Sequence, residues 1–122
     1  MVIPSPLFDS DVLIRALNGT ETLEARELLL SRDQLPISVI TWMEVMAGAT
    51  DRTEESTRRF LGRFVVKNIT PEIAEQAVKL RKSLRLKLPD AIIYATALTY
   101  GLRLATFNTR DFPAGTAGVH NL

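Results

Sequence analysis

The chain is predicted to adopt an α/β layer fold around a central, mainly parallel sheet. Three observations carry the prediction. Short apolar runs (PISVI at 36–40, FVVKNI at 64–69, LRLATF at 102–107) alternate with longer helical patterns. The length of 122 residues, 46% of them hydrophobic and 24% charged, suits one domain with a substantial core spanning 1–122. Carboxylates also fall repeatedly just after the apolar runs, where open α/β sheets bind their ligands.

The first strand runs through Leu7 and Phe8 and ends at Asp9, in the stretch LFDSDVLI. A helix follows from Asp11 to about Leu17, closed by Asn18 and Gly19. ETLEARELLLSR reads as an amphipathic helix. PISVI is a short buried strand with Pro36 at its first position, where a missing N–H does little harm. TWMEVMAG is a helix stopped near Gly48, and TEESTRRFLGRF is another.

FVVKNI, rich in β-branched residues, is the third strand. The helix from Pro71 places Ile73, Ala77, Leu80 and Leu84 on one stripe facing the core. DAIIYATALTYG is apolar almost all round and reads as the central buried helix. LRLATF is the fourth strand, and VHNL adds a short fifth beside a lone His120 at a frayed end.

Composition excludes several chemistries. With no cysteine there are no disulfides, no zinc–thiolate sites and no thiol catalysis. No apolar run approaches a membrane span, and MVIPSPLFDSD has neither the basic start nor the long apolar core of a secretion signal, so the expected location is cytoplasmic. The net charge of +1 conceals an asymmetry. Residues 1–57 hold 4 basic and 10 acidic side chains, and residues 58–122 hold 11 and 4. One region concentrates negative charge and another is able to meet phosphates, although solvated helix faces give the same count.

The post-strand acids are Asp9, Glu44, Asp90 and Asp111, with Asn108 beside the last. Each has a structural alternative. Thr41 and Glu44 fit a T-x-x-E capping box, Asp90 suits a helix N-terminus, Asp11 a helix cap, and Asn108 and Asp111 a turn. Asp9 is harder to dismiss. A carboxylate at the end of a buried strand needs a counter-charge, and no lysine or arginine lies near it in sequence. A divalent cation shared with Asp90 and the other acids neutralises the group at once, and oxygen-only ligands point to magnesium or manganese rather than zinc.

These residues match a family pattern. Asp9-Ser10-Asp11-Val12-Leu13-Ile14, SVITWMEVMAG around Glu44, LPDAIIYATA around Asp90, and TFNTRDF occur in order along essentially the whole chain. Together they resemble the PIN-domain ribonucleases, most closely the VapC toxins of toxin–antitoxin pairs. The resemblance implies a three-layer α/β/α fold with a sheet of four or five strands. It also implies Asp9, Glu44 and Asp90 as the acidic core, Asp9 and Asp90 as direct Mg2+ or Mn2+ ligands, and Asp111, in preference to Asn108, as the fourth acid.

It further implies metal-dependent hydrolysis of RNA, a cognate VapB-like antitoxin whose C-terminal segment enters the acidic groove, and a homodimer to which Trp42, Met43 and Met46 contribute if they are not core. Ser10 and Thr106 are candidates to orient a carboxylate or a water. Asn108 and Arg110, with Lys82, Arg85 and Lys87, are candidates to hold substrate. Asp11, where the family usually has asparagine, and Tyr94, where it usually has alanine, are departures.

Two other readings exist. The D-x-D of the opening stretch also suits a haloacid-dehalogenase-like phosphatase with Asp9 as nucleophile, although Leu13 and the short length argue against it. A catalytically silent PIN-like binding module is the other.

Overall fold

Chain chemistry sets the element boundaries. The structure, a computed structural model describing residues 4–122, contains β1 (Pro6–Phe8), α1 (Ser10–Leu17), α2 (Leu23–Leu29), β2 (Pro36–Ser38), α3 (Val39–Ala47), α4 (Glu54–Leu61), β3 (Val65–Lys67), α5 (Pro71–Leu84), α6 (Leu88–Thr99), β4 (Arg103–Thr106) and β5 (Val119–Asn121). The first three residues of the leading stretch lie outside the described residues. Thr22 and Thr70 cap α2 and α5, each accepting the N–H three residues on at 3.2 Å. Pro71 opens α5 where its missing N–H costs nothing. Among the described residues no helix is long and apolar enough to cross a membrane.

Every strand pairing is parallel. β4 lies between β1 and β5, and β2 pairs with β3. Among the described residues five strands are present, but their hydrogen bonds form a three-stranded and a two-stranded group rather than one continuous sheet, with β1 beside β2. Both neighbours are only three residues long and begin with proline, which brings no N–H to a shared ladder.

Alternation along the strands defines three layers. Leu7 and Leu104 point to one face, under α5 and α6, where they pack with Ile73, Ala77, Ile93 and Phe112. Phe8 and Ala105 point to the other, against Val12, Leu13, Ala25, Ile37, Val45 and Leu61 from the α1–α4 side. Phe8 is wholly buried, and its truncation to alanine is expected to cost about 3–5 kcal/mol.

Several expectations shift in detail. β2 ends at Ser38, not Ile40, because the Ser38 hydroxyl caps α3 by accepting the Ile40 N–H at 3.1 Å. The apolar stripe of α5 ends early: Ile73 and Ala77 are buried, whereas Leu84 is exposed. Tyr94 faces the core, with its ring edge-on to Phe112 and its hydroxyl donating to the Ala117 carbonyl. Trp42 and Met46 pack on the core, and only Met43 of that trio is largely exposed. His120 is not frayed. It sits in β5, with Nε2 2.6 Å from a Glu24 carboxylate oxygen on α2.

Candidate active site

β1 is flanked by β2 on one side and β4 on the other, so the chain leaves the sheet in opposite directions around it. Such a switch point opens a crevice at the carboxyl ends of the strands. Asp9 follows β1, Asn108 and Asp111 follow β4, Glu44 lies on the helix that follows β2, and Asp90 stands in the first turn of α6.

Asp9 is the N-cap of α1, and its own N–H extends the β1–β4 ladder to the Ala105 carbonyl at 2.9 Å. One carboxylate oxygen accepts the Ser10 N–H at 2.8 Å and the other accepts the Thr106 hydroxyl at 2.7 Å. The residue is only 6% exposed. Burial is the main reason its pKa is raised to about 6, with the charges of Asp11 and Glu44 adding and the hydrogen bonds from Thr106 and Ser10 opposing.

Asp90 is also raised to about 6, first by burial and then by the charges of Asp9, Asp111 and Glu44, with Lys87 opposing. Acids from four separate elements therefore act on one another. The field is shared, and among the described residues none of the four is ion-paired with a lysine or arginine.

Glu44 is not part of a capping box. Ser38 caps α3 one turn earlier, Thr41 is fully buried inside the helix, and Glu44 accepts the Ser10 hydroxyl at 2.6 Å. The Thr41 hydroxyl oxygen lies 3.3 Å from that of Ser10. Asp111 and Asn108 hold each other across a tight turn: the Asn108 amide donates to the Asp111 carboxylate at 2.9 Å, and the Asp111 N–H donates to the Asn108 side-chain oxygen at 3.1 Å. The Asn108 N–H in turn donates to Thr106 at 2.9 Å, so Thr106 links this turn to Asp9.

Asp11 is not a cap. It stands in the first turn of α1 and accepts the Phe107 N–H at 3.2 Å, while its second oxygen is buried without a partner. Burial raises its pKa. Arg110, Lys82, Arg85 and Lys87 are exposed, and Lys87 is the N-cap residue of α6, three residues before Asp90.

The donor set fits a hard divalent cation. It is all oxygen, it carries several negative charges, and burial makes those charges costly without a counter-ion. Among the described residues no three acidic or imidazole side chains are already gathered closely enough to grip an ion. Glu44 accepts a hydrogen bond from Ser10 and Asp111 one from Asn108.

The expected acids Asp9, Glu44 and Asp111 all act on Asp90, and Ser10 and Thr106 donate to carboxylates as expected. Sequence reasoning missed Thr41, the Phe107 N–H and Arg15, whose guanidinium carbon lies 4.0 Å from the Phe107 ring centroid. The i, i+4 spacing of Asp11 and Arg15 was visible, but their partner more than ninety residues away was not.

Comparison with known proteins agrees with this architecture. The chain is 36% identical over 115 residues to ribonuclease VapC10 of Mycobacterium tuberculosis, covering 88% of this chain and 85% of that protein. Among solved structures, a toxin–antitoxin complex from Klebsiella pneumoniae matches at 46% identity and a TM-score of 0.85, covering 97% of this chain and all of that one. VapBC2 from Rickettsia felis, bound to a DNA fragment from its promoter, shares the fold at a TM-score of 0.78 and 19% identity, over 96% of this chain and 98% of that one. The PIN domain family matches residues 7–115, and the chain belongs to that family.

Proposed function

We propose that this chain is a divalent-metal-dependent endoribonuclease, the toxin of a toxin–antitoxin pair, with Asp9, Glu44, Asp90 and Asp111 as its catalytic acids. The observation that supports this reading best is the burial of two carboxylates with no ion-paired basic partner among the described residues: Asp9 and Asp90 are each raised to about 6 chiefly by burial, and the charges of Asp9, Asp111 and Glu44 add to the shift at Asp90. Asp9 and Asp90 would hold the cation, Mg2+ or Mn2+, with Glu44 and Asp111 at its margin. When bound, the cation supplies an acidified water and neutralises charge on the scissile phosphate.

The protein's own groups do the remaining work. Thr106 and the Ser10 N–H fix both oxygens of Asp9, so its orientation is set before substrate arrives. Ser10 holds Glu44, a carboxylate that would orient the attacking water and take its proton. Asn108 and Arg110 border the acids, and Lys82, Arg85 and Lys87 offer phosphate contacts leading to Asp90. The family match over residues 7–115 and the 36% identity to a ribonuclease argue against the phosphatase alternative.

The relatives in complex with antitoxins support a small cognate VapB-like partner, whose basic C-terminal segment would complement the acidic cleft. A homodimer and a cytoplasmic location complete the reading. The test is to incubate purified, antitoxin-free chain with a mixed RNA pool and Mn2+ or Mg2+, beside Asp9→Asn and Asp90→Asn. Cleavage abolished by either substitution and by chelator is expected. Cleavage that persists in both, or release of phosphate from small phosphomonoesters, contradicts it.

A further inference from the structure

We infer that Asp11 and Arg15, one turn apart on α1, are positioning residues that grip Phe107 at its two ends and thereby fix where the Asn108–Asp111 turn stands relative to Asp9. Asp11 takes the Phe107 backbone N–H at 3.2 Å, and Arg15 covers the Phe107 ring at 4.0 Å from its centroid. Between them they bind both the main chain and the side chain of the residue that begins the turn. Thr106, immediately before, gives its hydroxyl proton to Asp9, and the Phe107 N–H goes to Asp11.

Beyond Phe107 the turn is internally rigid. The Thr109 N–H donates to the Phe107 carbonyl at 3.0 Å, the Phe112 N–H to the Asn108 carbonyl at 3.1 Å, and Asn108 and Asp111 bond reciprocally. The far end of the turn is anchored by Phe112, buried edge-on to Tyr94 with its carbonyl accepting from Asn121, so the hold on Phe107 sets the near end. Asp111 is exposed, and its bonds to Asn108 lie inside the turn, so they do not orient the turn against α1. Asp11 keeps one buried oxygen without a partner to hold this contact, a cost that a surface acid with no task would shed by turning outward.

The inference rests on the proposed reading that the acids hold a divalent cation, and it separates geometry from charge. Arg15 is positive. Removing it should strengthen cation binding if only the electrostatic field matters, and weaken it if Arg15 positions the turn.

The experiment is Mn2+ titration of the purified chain, followed by the electron paramagnetic resonance signal of free Mn2+, with thermal melts confirming that each variant is folded. Arg15→Gln and Phe107→Leu are each expected to weaken binding by about threefold, the scale of one exposed cation–π contact, with the double variant no worse than the weaker single one. Asp11→Ala is expected to lose about tenfold, and Asp11→Asn, which keeps an oxygen for the Phe107 N–H, to recover most of it.

Unchanged or tighter binding in Arg15→Gln, or Asp11→Asn as impaired as Asp11→Ala, overturns the inference. If the parent chain binds Mn2+ and Asp9→Asn abolishes that binding, such results sink the positioning role alone. If the parent chain binds none, the proposed metal centre fails and the positioning role with it.

Discussion

At the scale of single residues, Asp9 is a buried carboxylate whose charge costs stability. Its carboxyl titrates near 6 in the folded chain against 3.8 when free. Below the lower value both states hold the proton and Asp9 contributes nothing. Between the two values the unfolded chain ionises first, and above the upper one the full penalty stands, on the order of 1–3 kcal/mol. The metal-free protein should therefore gain stability as pH falls from 7.5 to 5, the reverse of a salt-bridged aspartate. Urea unfolding at the two pH values, in chelator, measures it, and a fall in stability over that range contradicts the assignment.

Asp9→Asn removes the buried charge. It should raise metal-free stability at pH 7.5 by about 1–2 kcal/mol while lowering RNA cleavage by at least about a hundredfold. Thr106→Val does the opposite to the fold. It strips the hydroxyl from Asp9 and should cost about 1–3 kcal/mol at pH 7.5 in the same unfolding assay.

At the scale of elements, much was legible because local chemistry decides it. The aspartate closing an apolar run, the proline opening α5, and the apolar girth of α6 each pointed to what is observed. Boundaries were less legible where two signals competed. Thr41 and Glu44 resemble a cap, yet Ser38 lies one turn earlier and takes that role, which shortens β2 and frees Glu44 to meet Ser10. Leu84 continues the stripe of α5 by spacing, but the helix turns into Arg85 before reaching the core.

Arg85 adopts a left-handed φ of 56° at the end of α5, a conformation glycine reaches without steric cost. Arg85→Gly should stabilise the fold by about 0.5–1 kcal/mol. Gly118 is the converse: φ is +70° and an added Cβ would lie 3.2 Å from Leu98 Cδ2. Gly118→Ala should destabilise by about 1–2 kcal/mol. Thermal melts read both, and a stable Gly118→Ala would show that the approach to β5 is more tolerant than its geometry suggests.

At the scale of the whole molecule, the fold gathers acids that sequence holds far apart. The four family blocks named the acids expected together, and Asp9, Asp111 and Glu44 do act on Asp90. The hydrogen-bonded relay from Asn108 through Thr106 to Asp9, and the hold of Ser10 on Glu44, required three dimensions because each joins segments separated by thirty residues or more, or runs through backbone groups that sequence does not distinguish. The division of the sheet into two hydrogen-bonded groups was equally hidden, since strand pairing depends on which N–H groups face each other.

Charge acts at this scale too. If Lys82, Arg85 and Lys87 meet the RNA backbone, cleavage under subsaturating conditions should fall steeply with salt. Replacing all three with alanine should make the log–log slope shallower by about 2, near 0.7 per lost phosphate contact. An unchanged slope would place the substrate on another face.

The central claim is that Asp9 and Asp90, eighty-one residues apart, hold one hard cation between them. Anomalous diffraction from crystals of the antitoxin-free chain grown with Mn2+ tests it most directly. The account predicts a manganese peak between the two carboxylates, at coordination distance of about 2.1–2.3 Å from an oxygen of each. A crystal saturated with Mn2+ that shows no peak there, or a peak bound by only one of the pair, contradicts it.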